Sequence, residues 1–122
     1  MNINISNTSD KPIYIQLFEQ ISTQILKGEL ESGFALPSIR TAAKELRVSV
    51  ITVKKAWEEL ERQGFIYTMA GKGCFVAELS EQEREKKRNE IIEKKMKKDI
   101  AYYKSMDLGL SDVIERFKRF YR

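Results

Sequence analysis

The 122-residue chain has no histidine and only one cysteine, Cys74. These absences exclude Ser-His-Asp and Cys-His nucleophilic systems, metal cages built from histidine or cysteine, and an intramolecular disulfide. Only carboxylate chemistry is left, and no group of acidic residues converges in the sequence. We therefore expect a protein that is not an enzyme and that uses no cofactor or metal. Cys74 is interpreted as a small strand hydrophobe, with a redox switch as the alternative.

Long hydrophobic runs are also missing. No segment reaches the roughly 20 apolar residues that cross a bilayer, and the first residues lack the basic and apolar regions of a signal peptide. We expect no membrane partner and a cytoplasmic location. The 22 basic residues exceed the 18 acidic ones by four, but residues 1–77 hold nine of the basic and eight of the acidic side chains. Local charge placement must therefore identify any nucleic-acid surface.

Apolar residues spaced three and four apart predict three helices in the first half of the chain. The first begins after Pro12 and ends near Gly28, the second covers residues 38–46 with Ser38 as its cap, and the third covers residues 49–63. The turn between the second and third helices is so short that the pair is typical of a helix-turn-helix.

Two β-prone runs, residues 65–69 and 74–77, surround a tip that contains two glycines and predict a hairpin. This element order predicts a mainly α fold with a small β-hairpin, a winged helix-turn-helix. Residues 80–90 then contain no apolar side chain and alternate in charge, a pattern typical of a solvated helix face or a projecting helix. Amphipathic helices are predicted over 91–106 and 110–121, the latter capped by Ser111.

The predicted domains follow from these changes in pattern. Residues 1–10 are expected to form a flexible N-terminus, residues 11–79 a winged helix-turn-helix DNA-binding domain, and residues 80–122 a helical dimerisation tail. In the third helix, steps of about 100° per residue place Val53 and Trp57 on a buried face. Along its solvent-exposed face, basic residues precede acidic ones. A helix that inserts its N-terminal part into the major groove requires this order, because acidic side chains there would be repelled by the phosphates.

The candidate DNA contacts lie near the helix-helix turn and at the hairpin tip: Ser38, Arg40, Lys44, Ser49, Val50, Ile51, Thr52, Lys54, Lys55, Gly71 and Lys72. Arginine suits bidentate pairing with guanine or phosphate, and apolar Val50 and Ile51 suit thymine methyl groups. The alternatives are structural. The hydroxyl residues can act as caps, Val50 and Ile51 can pack against the hairpin or a loop, and Gly71 can serve turn geometry alone.

Several segments resemble the GntR family of bacterial transcription regulators: residues 12–16 (PIYIQ), 28–30 (GEL), 36–40 (LPSIR), 52–56 (TVKKA), 58–60 (EEL), 71–73 (GKG) and 75–76 (FV). The resemblance covers about residues 11–79 without a gap, and the short two-helix tail resembles the YtrA-type branch. It implies a homodimer that binds a near-palindromic operator, and a repressor beside a transporter-type operon. The implied DNA contacts are Ser38, Arg40, residues 49–52, Lys54 and the tip around Gly71.

The sequence departs from the family pattern at three places. Thr41 stands where leucine is frequent, Arg47 where a turn glycine is usual, and Val50 where many members have arginine. At Arg47, either the turn differs from that of the family or the arginine tolerates the strained conformation. Arginine can hydrogen-bond to the edges of bases, whereas the valine side chain has no hydrogen-bonding group. The valine at position 50 therefore favours contact between Val50 and Ile51 and the methyl groups of thymine.

The tail exposes more apolar surface than a lone helical hairpin can leave uncovered. The expected dimerisation residues are Ile92, Met96, Ile100, Tyr103, Leu110, Val113, Ile114, Phe117 and Phe120. The alternative is that both helices fold back on the winged helix of the same chain. A small-molecule effector is left open, because no pocket-like group of residues is visible. The competing functional class is a protein-interaction module that does not bind DNA, for which salt-sensitive duplex binding would be absent.

Overall fold

The computed structural model describes all residues, 1–122, and divides them into two units. The first unit, Met1–Ser80, holds helices α1 (Ile13–Leu26), α2 (Ile39–Leu46) and α3 (Val50–Arg62) and strands β1 (Ile66–Met69) and β2 (Gly73–Val76). The second unit, Glu81–Arg122, holds α4 (Glu81–Ser105) and α5 (Leu110–Phe120). The predicted mainly helical winged helix-turn-helix is confirmed.

The core of the first unit forms where α3 packs between α1 and α2. Fully buried Leu17 and Ile21 come from α1, and Val53 and Leu60 from α3. The small side chains of α2, Ala42 and Ala43, allow its backbone to approach α3 closely. Beyond α3 the core continues into the hairpin through Phe65, Ile66 and Val76. The predicted buried stripe on each helix is therefore the surface that joins the helices.

The N-terminal segment lies along α1 and is held by glutamine side chains. Three glutamines spaced four apart bind the backbone of every second residue of the segment: Gln16 with Ser6, Gln20 with Asn4 and Gln24 with Asn2. The repeat matches because four helical residues rise about 6 Å and two extended residues rise about 6.6 Å. We call this set the glutamine ladder. Within the N-terminus expected to be flexible, residues 2–6 are thus hydrogen-bonded along α1, and residues 7–10 form bends.

The hairpin is a two-stranded antiparallel sheet in which Ile66 pairs with Val76 and Met69 pairs with Gly73. Residues 33–36 run beside β2 on the side away from β1 and form main-chain hydrogen bonds with it. The Gly33 amide donates to the carbonyl of Val76 (2.8 Å), and the Leu36 amide donates to the carbonyl of Cys74 (2.9 Å). The hairpin is therefore joined by main-chain hydrogen bonds to the segment that leads into α2.

In the second unit the charged stretch from Glu81 to Glu90 belongs to the first helix, as its alternating charges indicate. The unit differs from expectation in one detail. Its second helix begins after Gly109 with no side-chain cap, so the predicted capping role of Ser111 is wrong and Ser111 lies in the first turn. A turn with Asp107 at φ 61° connects the two helices, and the Leu108 amide donates to Tyr103 (3.1 Å). No helix of the chain is both long and apolar enough to cross a membrane.

Removing the buried rung of the glutamine ladder should destabilise the first unit. Gln16 is only 7% exposed and makes three hydrogen bonds, two with Ser6 and one with the Lys11 carbonyl. We expect Gln16→Ala to lower the free energy of unfolding by on the order of 2 kcal/mol, because it removes three hydrogen bonds that are partly shielded from water. Urea denaturation followed by circular dichroism measures this. The control is exposed Thr23→Ala on the same helix, and an equal loss in both variants would contradict the role of the ladder.

Candidate nucleic-acid interface

The turn between α2 and α3 consists of Arg47, Val48 and Ser49. Arg47 ends α2 in the left-handed conformation, with φ 57° and ψ 46°. The Val48 amide then donates to the carbonyl of Ala43 (3.0 Å), and the half-buried Val48 side chain packs on the core. The left-handed residue reverses the chain within three residues, and this sets where α3 starts. Arg47 therefore tolerates the conformation for which the family commonly uses glycine.

Serine caps begin both helices of the pair. The Ser38 hydroxyl accepts a hydrogen bond from the Thr41 amide (3.1 Å), and the Ser49 hydroxyl accepts one from the Thr52 amide (3.1 Å). The side-chain hydroxyls of Ser49 and Thr52 are also hydrogen-bonded to each other (2.7 Å). The capping predicted for Ser38 and Ser49 is confirmed. Ser38 thus lies at the start of α2, and Ser49 and Thr52 lie at the start of α3.

The buried face of α3 orients its other side chains. Val53, Ala56, Trp57 and Leu60 are all buried, as the helical spacing predicts. The Trp57 ring nitrogen also donates to the carbonyl of Pro37 (3.3 Å), which ties α3 to the residue before the Ser38 cap. With this face fixed against the core, the first turn of α3 points Val50 and Ile51 into solvent. Val50 is 46% exposed and Ile51 is 77% exposed, and neither side chain packs against the core of the first unit.

Basic side chains surround the turn without acidic partners. Arg40 and Lys44 on α2 and Lys54 on α3 are exposed and form no ion pair within the chain. Arg47, which sequence reasoning did not assign to the interface, adds a fourth exposed cation in the turn itself. Lys55 differs from these four. Its ammonium group lies 4.1 Å from the centre of the Tyr14 ring of α1, a cation–π contact that the helical pattern did not predict.

The acidic end of α3 is internally paired. Glu59 binds the guanidinium of Arg62 in an ion pair, and Glu61 accepts a hydrogen bond from the Thr68 hydroxyl of β1 (2.7 Å). Hydrogen bonding to Glu59, together with the charge of that carboxylate, raises the pKa of Arg62 above its usual range. The free positive charge of α3 is thus at its start, and its acidic residues are held at its end.

The hairpin tip is shaped by glycine backbone geometry. Gly71 has φ 74° and Gly73 has φ 117°, values that L side chains rarely adopt, although a Cβ atom at either position would meet no neighbour within 4 Å. Glycine is therefore required by the turn and not by crowding. Lys72 stands exposed between them, and its amide donates to the carbonyl of Met69 (2.9 Å). Below the tip, half-buried Cys74 packs on the core, as expected for a strand hydrophobe.

The predicted dimerisation residues are mostly exposed. Ile92, Met96 and Ile100 on α4 and Leu110, Ile114, Phe117 and Phe120 on α5 all lie on the surface of the chain. Tyr103 and Val113 are half-buried instead. The rings of Tyr103 and Phe117 meet edge to face at 6.1 Å, beside a small apolar cavity of about 150 Å³. No residue of α4 or α5 is buried, so the apolar side chains of these helices have no core of their own.

The chain contains no group of three histidine, cysteine, aspartate or glutamate side chains that could hold a metal ion. What it does present is two capped helices joined by a tight turn, an unpaired basic and apolar first turn on the second helix, and a glycine-tipped hairpin. These features define the class of winged helix-turn-helix proteins that insert a recognition helix into DNA.

Comparison with known proteins identifies the family within this class. The pattern of the family described as "Bacterial regulatory proteins, gntR family" matches residues 13–76. The chain is 33% identical to the HTH-type transcriptional regulator YhcF of Bacillus subtilis, with 92% of each chain covered. It is 34% identical to the HTH-type transcriptional repressor YtrA of the same organism, over 87% of this chain and 83% of YtrA.

Solved structures agree with this assignment. A GntR family transcriptional regulator from Listeria monocytogenes superimposes with a TM-score of 0.75 at 30% identity, covering 94% of this chain and 98% of the other. The DNA-binding domain of AraR, solved in complex with the operator ORX1, gives a TM-score of 0.55 at 29% identity over 63% of this chain and 96% of its own. The chain therefore belongs to the GntR family, as a YtrA-type DNA-binding transcription regulator.

Replacing Arg47 by glycine should stabilise the protein. A left-handed conformation costs a residue with a Cβ roughly 1–2 kcal/mol, and glycine removes this cost while adding some backbone entropy to the unfolded chain. We expect Arg47→Gly to raise the free energy of unfolding by about 0.5–1 kcal/mol. Arg47→Ala removes the same charge but keeps the strain, so it should give no gain. Equal stability of the two variants in urea denaturation would show that the left-handed turn is not strained.

Proposed function

We propose that the protein is a homodimeric repressor that binds a near-palindromic operator of a transporter-type operon in the cytoplasm. The observation that carries the proposal is the start of α3, which combines exposed Val50 and Ile51 with unpaired Lys54. A recognition helix meets DNA through its N-terminal residues, and acidic groups there would be repelled by phosphates. In this chain the three acidic residues of α3 come later, and two of them, Glu59 and Glu61, are engaged by Arg62 and Thr68.

The proposed contacts fall into three groups. Arg40, Lys44 and Lys54 would meet phosphate or guanine, because their charges have no partner within the chain. Ser38, Ser49 and Thr52 lie beside these cations, but the Ser38 hydroxyl already donates to the Thr41 hydroxyl (2.8 Å). The hydroxyls of Ser49 and Thr52 bind each other, so only one of that pair keeps a proton that it can donate to phosphate. Gly71 and Lys72 would carry the tip of the hairpin to the backbone or minor groove beside the site. Lys55 contributes less, since its ammonium group already lies over the Tyr14 ring.

The dimer is supported by the exposure of the apolar residues on α4 and α5. Met96 is 54% exposed and Phe120 is 69% exposed, in helices without any buried residue. Pairing with a second copy about a twofold axis would bury these side chains and would present two recognition helices to two half-sites. That symmetry is the reason for expecting a near-palindromic operator. The YtrA relative is named a repressor, and the resemblance to its branch suggests a transporter-type operon as the target.

Salt dependence tests the proposed phosphate contacts. The full chain should bind the duplex upstream of its own gene with an affinity that falls steeply as salt rises, because neutralised phosphates release counterions. Lys54→Ala and Arg40→Ala should each weaken binding and make the slope of log affinity against log salt shallower by about one. Fluorescence anisotropy measures both quantities.

The matched control for these variants is Arg62→Ala, which removes a charge from the same helix α3. Arg62 is paired with Glu59 at the far end of the helix, so its loss should leave the salt slope unchanged. A wild-type slope near zero would contradict DNA binding and favour a protein-interaction module. Equal effects of Arg62→Ala and Lys54→Ala would contradict the location of the surface.

Charge placed on the exposed apolar face of α4 should dissociate the dimer. We expect the wild-type chain to be dimeric at micromolar concentration in light scattering, and Met96→Asp to shift it to monomers, because the aspartate would be desolvated in the interface. Lys94→Asp, two residues away and on a different face of α4, is the control and should stay dimeric. A monomeric wild-type protein would overturn the proposed dimer.

A further inference from the structure

Ile51 is an apolar residue at a position that the packing of α3 leaves exposed. It is 77% exposed, more than any other large apolar side chain of residues 1–80, and exposed Val50 precedes it. Both are β-branched, a type that is less favourable in helices than the polar straight-chain residues usual at exposed positions. The remaining apolar residues of α3 are all buried. An aliphatic pair in the first turn of a recognition helix therefore contributes little to the folded state and is available to a ligand.

The polar groups around this pair are already engaged within the chain. The hydroxyls of Ser49 and Thr52 bind each other, and the Ser49 hydroxyl also accepts the Thr52 amide. One turn further along the helix, the Lys55 ammonium group lies against Tyr14. The start of α3 thus offers two aliphatic surfaces and one unpaired cation, Lys54, to the groove.

Isoleucine and valine have no donor or acceptor, so they cannot read the hydrogen-bonding edges of guanine, cytosine or adenine. The C5 methyl of thymine is the apolar group that a base pair displays in the major groove. We infer that Ile51, together with Val50, reads thymine methyl groups, so that each operator half-site carries an A·T pair opposite the start of α3. This inference rests on the proposed function and adds the chemical feature by which the operator is distinguished.

Substitution of deoxyuridine for thymine tests the inference, because it removes only the methyl group. The full chain is first used to select sites from a randomised duplex library, and each thymine of the selected half-site is then replaced singly. We expect one or two positions at which uracil weakens binding about fourfold, which corresponds to the burial of one methyl group. Because exposed Ile51 is not part of the core, we expect Ile51→Ala to remain folded, and circular dichroism checks this.

The variants assign the effect to its residue. In Ile51→Ala the difference between thymine and uracil should disappear at one of these positions. In Lys54→Ala both duplexes should bind more weakly by the same factor, which preserves the difference. A selected half-site without thymine, uracil duplexes that bind as well as thymine duplexes, or an undiminished difference in Ile51→Ala would overturn the inference while DNA binding stands. Failure of the wild-type chain to enrich any sequence would overturn sequence-specific binding itself.

Discussion

Burial of one face of α3 is the constraint on which the rest of the winged helix depends. Val53 and Leu60 are fully buried between α1 and α2, and Trp57 adds a hydrogen bond to the residue before the α2 cap. Because a helix is rigid, fixing this face also fixes the direction of every other side chain on α3. The exposure of Ile51 and Lys54 is thus a consequence of core packing and requires no contact of its own.

The features that repeat with a helical period could be predicted from the sequence. The stripes of α1, α2 and α3, the serine caps and the glycine-tipped hairpin all depend on interactions between residues close in the chain, which leave a local pattern. The left-handed Arg47 was expected only as one of two possibilities, since the pattern shows where a turn lies but not which residue accepts the strain. The Ser111 cap was wrong because Gly109 starts α5 without a side-chain cap.

What could not be predicted depends on residues that are distant in sequence. The contact between Lys55 and Tyr14 joins two helices. Helical spacing places Lys55 on the solvent-exposed face as a candidate DNA contact, whereas the structure engages its ammonium group with a ring of α1. The glutamine ladder is similar. Its spacing of four is visible in α1, and residues 2–6 alternate between polar and apolar side chains. Neither pattern shows that the two segments pair, because the hydrogen bonds join residues 10 to 22 apart in the sequence. The candidate site was foreseen as a set of residues, whereas the division between free and engaged cations required the structure.

The main-chain hydrogen bonds between residues 33–36 and β2 connect two parts of the surface that are distant in the sequence, the start of α2 and the hairpin. Residues 33–36 are bonded to β2, and Ser38 begins α2 only two residues later. The hairpin and the start of α2, where Ser38 and Arg40 lie, are therefore joined through main-chain hydrogen bonds. If both meet one duplex, their positions are not independent, and contact at the hairpin would constrain contact at the helix pair.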